Sequence, residues 1–316
     1  MSSDTWIEHL GVTWRPRWSG GLDPAQAVRL EGLARELADG SLEEMVDPDV
    51  PAGDLVCLRR VTVPPIRCRA DAPDREVLER LSRAIAAAIE AAATTAGPDV
   101  VRYRNRAHAL ADLVVSMARG DRRRAWVWRQ LDMWPSAGAA EVEADPRSAV
   151  AGALAAEPFA VPAVLAVAAN EDVIHEVVGL LGPETLEALA RAAWLAGGTA
   201  LASWPELLAR APREEASVLR GAELLARVPL GRAVLGAPGW PPSALLAAAA
   251  LALLDAEPSL AAEPAEAVLD VVAGAALVVL ARSSLLPPLA QPGPDEGRQD
   301  ATRFERELSG DLTSRD

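Results

Sequence analysis

The sequence predicts a mostly α-helical protein, a multi-helical bundle or irregular helical array with one short β element near residues 55–69. Three observations lead there. Half of the 316 residues are apolar but only 4% are aromatic, and alanine dominates the apolar set, which favours closely spaced helices over a sheet of β-branched and aromatic residues. Apolar residues recur at helical spacing along most of the chain. Twenty-five prolines and 22 glycines cut that pattern into pieces of roughly three turns. A chain of this length holds one large domain or two ordinary ones, with a core that needs no covalent staple.

The amino-terminal segment, residues 1 to 22, carries Trp6, Trp14 and Trp18 between glycines and prolines without a clear period. It reads as irregular and is expected to pack onto the body. In the run from Asp54 to Arg69, Val61 and Val63 alternate with Arg60 and Thr62 before Pro64 and Pro65, the pattern of one or two short edge strands broken by prolines. A helix follows, capped by Asp71 or Asp74, with Val77, Leu78, Leu81, Ile85, Ala88 and Ile89 on one face and Gly97-Pro98 at its end. The next helix turns Ala107, Leu110, Leu113, Val114 and Met117 inward and stops at Gly120. Asp121 is placed to cap a third.

That third helix, expected over Arg122 to Trp134, has two apolar faces. At about 100° per residue, Val127, Trp128, Leu131 and Trp134 form a core stripe. Trp126 and Met133 fall nearly opposite, flanked by Arg122 and Arg129. A helix packed only on its own core should be polar there, and an aromatic ring bracketed by guanidinium groups is a composition enriched at binding hot spots. Trp126, Met133, Arg122 and Arg129 are therefore the candidate partner-binding residues. The competing expectation is that another segment of the same chain, such as the tryptophan-rich amino terminus, covers them.

Residues 136 to 147 are small, polar and acidic, the composition of a domain boundary. They separate an amino-terminal α(+β) domain, 1–135, from a helical domain, 148–286. In the second domain short helices are expected over roughly 148–156, 159–169, 171–181, 184–196, 204–210, 213–227, 241–255 and 264–282, arranged as antiparallel pairs in a bundle or an irregular solenoid. The last is apolar almost all round, which signifies burial at a domain centre. A membrane span competes, but the uninterrupted stretch Val271 to Ala281 is shorter than the ~20 residues a bilayer demands, and Asp270 and Arg282 bound it. The tail, 287–316, is polar and broken by Pro and Gly, so disorder is expected.

Every basic residue is arginine. The absence of lysine excludes the P-loop lysine of nucleotide-binding proteins, Schiff-base chemistry and a lysine general base. A formal net charge of -14 disfavours nucleic acid and anionic lipid surfaces as partners of the whole chain. The exception is the Arg102 to Arg129 zone, where a local arginine cluster suits an acidic contact. Cys57 and Cys68 are the only thiols, too few for a paired zinc motif, and are expected to be free. The first residues lack a basic region followed by an apolar run, so a secretory signal is not expected and a cytoplasmic location is.

Two helical pairs could serve acid/base chemistry, His108 with Asp112 and His175 with Glu171, while His9 lies near Glu8 in the irregular segment. Such pairs are commonplace on helix surfaces, and no nucleophile accompanies either. No GxSxG, HExxH, GxGxxG, paired CxxC or acidic calcium loop occurs. The alternative to a binding protein is therefore an enzyme or small-molecule binder using His108 or His175 at a site between the two helical domains. A membrane-associated factor using Val271 to Ala281 is a third reading.

Taken in order, LRRVTV at 58–63, LERLSRAIAAAI at 78–89, the stretch 100–134 with its arginines and tryptophans, and FAVPAVLAVAANEDVIHEVVGLLGPETLEALARA at 159–192 resemble the contractile injection system tape measure protein family. The resemblance spans about the first 200 residues and lies in texture and order. It implies a cytoplasmic, cofactor-free protein acting in the assembly of a phage-tail-like particle, through protein contacts and without catalysis. A ruler needs a long rod rising about 1.5 Å per residue, whereas this chain is chopped by proline and glycine. A compact scaffold or adaptor fits the sequence better.

Overall fold

The computed structural model describes residues 23–37, 53–69, 71–95, 97–135, 145–209, 215–237 and 239–283. Trp6, Trp14 and Trp18, most of the boundary segment 136–147 and the tail 287–316 lie outside the described residues. The described chain is mostly α-helical with a two-stranded antiparallel sheet. It divides into two compact units between Asp145 and Pro146.

In the first unit, helix α1 (Pro24–Glu36) begins where the Asp23 side chain accepts the Ala25 N–H and Gln26 reaches back to the Asp23 N–H, a capping box with proline in the first turn. Helix α2 (Asp74–Thr94) lays Val77, Leu81, Ile85 and Ile89 against Leu33 and Leu37 of the α1 segment. Arg29 fixes the register by pairing with Asp74 at 2.5 Å. Neither Asp71 nor Asp74 caps α2; Pro73 occupies the cap position without a side-chain bond, because its fixed φ already suits the helix entry.

Strand β1 (Leu55–Leu58) pairs antiparallel with β2 (Val100–Tyr103), Leu55 opposite Tyr103 and Leu58 opposite Val100. β1 lies within the expected β element near residues 55–69, but the strand expected from the valines does not form. The Val61/Val63 alternation is extended chain without a ladder; those valines, with Leu58 and Ile66, pack on the α1–α2 cluster instead. Strand pairing here depends on partners far away in sequence, Tyr103 for Leu55 and Val100 for Leu58, which local alternation does not reveal.

Helix α3 (Arg106–Ala118) starts under the Asn105 side chain, which accepts the His108 N–H at 2.8 Å. It ends in a Schellman motif, with Gly120 at φ 71° and the Asp121 N–H bonded back to the Ser116 carbonyl at 2.8 Å. Helix α4 (Ala125–Gln130) is half the expected length.

The second unit is all helical in its described residues: α5 (Pro146–Ala156), α6 (Val161–Asn170), α7 (Ile174–Leu181), α8 (Pro183–Ala196), α9 (Trp204–Ala209), α10 (Glu215–Arg227), α11 (Pro229–Leu235), α12 (Pro242–Ala256) and α13 (Ala265–Arg282). Helix α12 is its axis, packed against α6, α8, α10, α11 and α13. Its residues Ala244 to Leu254 are all buried. Alanine on that helix lets neighbours approach closely.

Helices α10 and α13 cross closely. A Cβ added at Gly221 would sit 2.9 Å from the Val271 carbonyl oxygen and the Ala275 nitrogen, and one at Gly274 would sit 2.8 Å from the Val218 Cα. Backbone therefore touches backbone at this crossing, and only glycine fits both sides. Polar anchors hold the rest: Trp194 Nε1 donates to the Ala250 carbonyl at 3.0 Å, and Thr199 Oγ1 to the Ala261 carbonyl at 2.7 Å. The burial of α13 on nearly every side accounts for its apolar wheel, and among the described residues no single helix is long and apolar enough to cross a membrane.

Candidate interaction surface

Helix α4 carries the candidate residues, and one carboxylate positions it. Asp112, on α3, accepts the Tyr103 hydroxyl at 2.7 Å and the Trp128 indole N–H at 3.2 Å through Oδ2, while Arg124 Nη1 donates to Oδ1 at 2.5 Å. Tyrosine and tryptophan need a partner for their one polar atom when their rings are buried. Here both rings come to the same acceptor. Burial first, then the bond to Asp112, raises the Tyr103 phenol well above its ordinary range. Trp128 is fully buried and meets Trp134 in a tilted pair with centroids 6.1 Å apart.

A second set of bonds fixes the far end of α4. Arg106 Nη1 donates to the Leu131 carbonyl at 3.0 Å and Gln130 Nε2 to the Leu58 carbonyl at 3.3 Å. Arg124, just before α4, thus bonds to the middle of α3, and the Leu131 carbonyl, just after α4, is held by the first residue of α3. Val127 and Trp128 face the interior and are buried. Arg122, before the helix, and Arg129 are exposed, and Trp126 is half-buried.

Met133 does not join them. It is 4% exposed, a core residue. The helical wheel fails beyond Gln130 because α4 closes in a Schellman motif: Asp132 takes φ 53°, its N–H bonds to the Arg129 carbonyl at 3.1 Å, and the Met133 N–H bonds to the Trp128 carbonyl at 2.8 Å. The residue after the left-handed position then folds back onto the helix's last buried turn. Aspartate tolerates that conformation better than most non-glycine residues, so the turn carries no glycine to announce it. The candidate face is thus reduced to Arg122, Trp126 and Arg129.

The expected His108–Asp112 dyad does not form among the described residues. Asp112 is taken by three other donors, and His108 is exposed, its Nδ1 accepting the Arg104 N–H at 3.3 Å and its ring edge-on to Tyr103. His175, exposed on α7, accepts the Trp240 indole N–H at Nδ1 over 2.7 Å. That bond clips the segment before α12 to α7 and gives His175 a structural partner. Cys57 is buried in β1 and Cys68 is exposed, both free; desolvation pushes the Cys57 thiol up to about 11. Among the described residues no group of three or more His, Cys, Asp or Glu side chains is placed to hold a metal ion.

Sequence reasoning missed the Asp112 hub. A signal was present: the chain has a single tyrosine, close in sequence to an aspartate flanked by Ala111 and Leu113, and a buried phenol requires an acceptor. In comparisons with protein-family models, curated proteins and solved structures, nothing matches the chain.

Proposed function

We propose that this chain is a non-enzymatic assembly or adaptor protein of a bacterial contractile injection system, working through a protein contact made by Arg122, Trp126 and Arg129. The observation that carries the contact is the half-buried indole of Trp126 on the outward side of a helix whose inner side is already filled by Val127 and Trp128. An indole left partly wet near exposed arginines in sequence has apolar area and positive charge to offer a partner. The injection-system context rests on the resemblance of residues 58–192 described above. The arrangement needs no cofactor, and the overall charge of -14 disfavours nucleic acid as the partner.

The test is affinity capture from the native cell with the wild-type chain and with Trp126→Ala combined with Arg129→Glu. Capture of a specific protein should vanish in the variant while the helical circular dichroism and the melting curve stay unchanged. Undiminished capture would remove these residues from the contact. The context is tested separately by the neighbouring genes: sheath, tube and baseplate genes support it, and their absence counts against it.

A further inference from the structure

We infer that the arginine-lined strip along α3 and α4 docks a short acidic segment of the partner protein, its carboxylates on the guanidinium groups and an apolar side chain against Trp126. This rests on the contact face proposed above and adds the chemistry of what it receives.

Placement is the first argument. Arg106, the first residue of α3, reaches the carbonyl of Leu131 at the end of α4 that holds Arg129, with Arg104 two residues before it, while Arg119, just past the end of α3, is followed by Arg122 and Arg123 in the turn that leads into α4. All six side chains belong to exposed residues. Cations separated along the sequence by a helix and a loop are thereby gathered along one pair of helices, with Trp126 between the two groups.

Charge is the second. Residues 102 to 135 contain eight arginines and three aspartates, a local excess of five positive charges in a chain of net charge -14. Two of the three aspartates are spent on Arg124 and Arg123. Asp112 is turned inward to Tyr103, Trp128 and Arg124. Asp121 is held by Arg123 through two bonds of 3.0 and 2.6 Å, which keep its carboxyl low, at about 2. Asp132 sits in the left-handed turn. Among the described residues no ion pair engages the guanidinium of Arg102, Arg104 or Arg129.

Range selects the occupant. A long polyanion feels the repulsion of the whole acidic molecule, whereas a segment lying on the strip is within about one Debye length, ~8 Å at physiological salt, of the arginines alone. Guanidinium also matches carboxylate geometry in two-point bonds, which an ammonium group does not. A short Glu/Asp-rich peptide with one apolar side chain fits these conditions better than a nucleic acid does.

The probe is a fluorescein-labelled dodecapeptide of Glu and Asp with one central Phe, titrated by anisotropy with the full chain at low salt. Binding should weaken about tenfold or more in Arg122→Glu/Arg129→Glu, several-fold in Trp126→Ala, and steeply on raising salt from about 50 to about 300 mM. Arg129→Lys should fall between wild type and the reversal. Three results would each overturn the inference: no binding at low salt, binding indifferent to charge reversal in variants with unchanged circular dichroism, or tighter binding of a single-stranded oligodeoxynucleotide than of the peptide. If partner capture still depends on Trp126 while the peptide fails to bind, the contact face survives and only the acidic class of partner falls.

Discussion

Around α4, three donors from strand, turn and helix converge on the single carboxylate of Asp112. In α12, eleven consecutive residues are buried, and the α10–α13 crossing is glycine against backbone. The first unit thus fixes its geometry with directional bonds, and the second with the absence of side-chain volume. Directional bonds specify one register and are costly to leave half made. Close packing of small residues tolerates polar loss well and added volume badly. The two units should therefore fail to different insults.

The largest effect is expected from adding bulk in the second unit. Gly274→Leu places a side chain where a bare Cβ already meets the Val218 backbone at 2.8 Å, and the cost should reach about 4 kcal/mol, the upper end for overpacking. Hydrogen exchange should accelerate in α10 and α13 with the first unit's amides unchanged. Normal protection in the variant would show that the helix crossing is not what holds that unit.

Next comes removal of the shared acceptor. Asp112→Ala leaves the Tyr103 hydroxyl and the Trp128 N–H without their partner, a loss of about 3 kcal/mol from two buried donors at about 1–3 kcal/mol each. Asp112→Asn, which keeps one acceptor oxygen, should cost less. Denaturant unfolding measures both. Equal and small losses would reduce the hub to an ordinary surface contact.

Alkali should separate the units more gently. Cys57 is raised from 9.0 to about 11 and Tyr103 is raised as well, so both stay protonated in the folded chain where the unfolded chain releases protons. The stability that Cys57 contributes is complete below about pH 9 and is lost as pH climbs through about 11, while the contribution of Tyr103 starts to fall only above its ordinary value of 10.0. Residues 146 to 316 contain no Cys, Tyr or Lys, and arginine keeps its proton throughout. The first unit should weaken alone between those values, as read by exchange or by limited proteolysis. Simultaneous loss of α12 protection would contradict this.

The smallest effect is at the end of α4. Asp132→Gly should change stability by less than about 1 kcal/mol, relief of the left-handed backbone offsetting the added chain entropy. Asp132→Val should cost more than about 1 kcal/mol, because a β-branched residue is strained at that φ. Thermal melts of the pair decide it.

Periodicity made most of the helices legible. The spacing of Val77, Leu81, Ile85 and Ile89 places α2 within a few residues, and the apolar wheel of α13 announces its burial. What local pattern could not supply was anything decided at a distance or by an unusual backbone. Strand β2 exists because β1 is opposite it. The seven residues of α11 follow α10 so closely, across Val228 and Pro229, that no separate amphipathic period develops. Asp172, like Asp132, takes a positive φ, 57°, and delays α7 to Ile174 where the sequence suggests a start at 171. Both turns do with aspartate what α3 does with Gly120, which is why the burial of Met133 was not readable from a helical wheel.

Asp112 has one more implication. Since the same two oxygens anchor Tyr103 from strand β2, Trp128 from α4 and Arg124 from the turn before it, none of these pieces can slip into place ahead of the rest and stay there. The outer edge bearing Trp126 should consequently appear in a single cooperative step during folding, and any visitor to it meets either the finished platform or none.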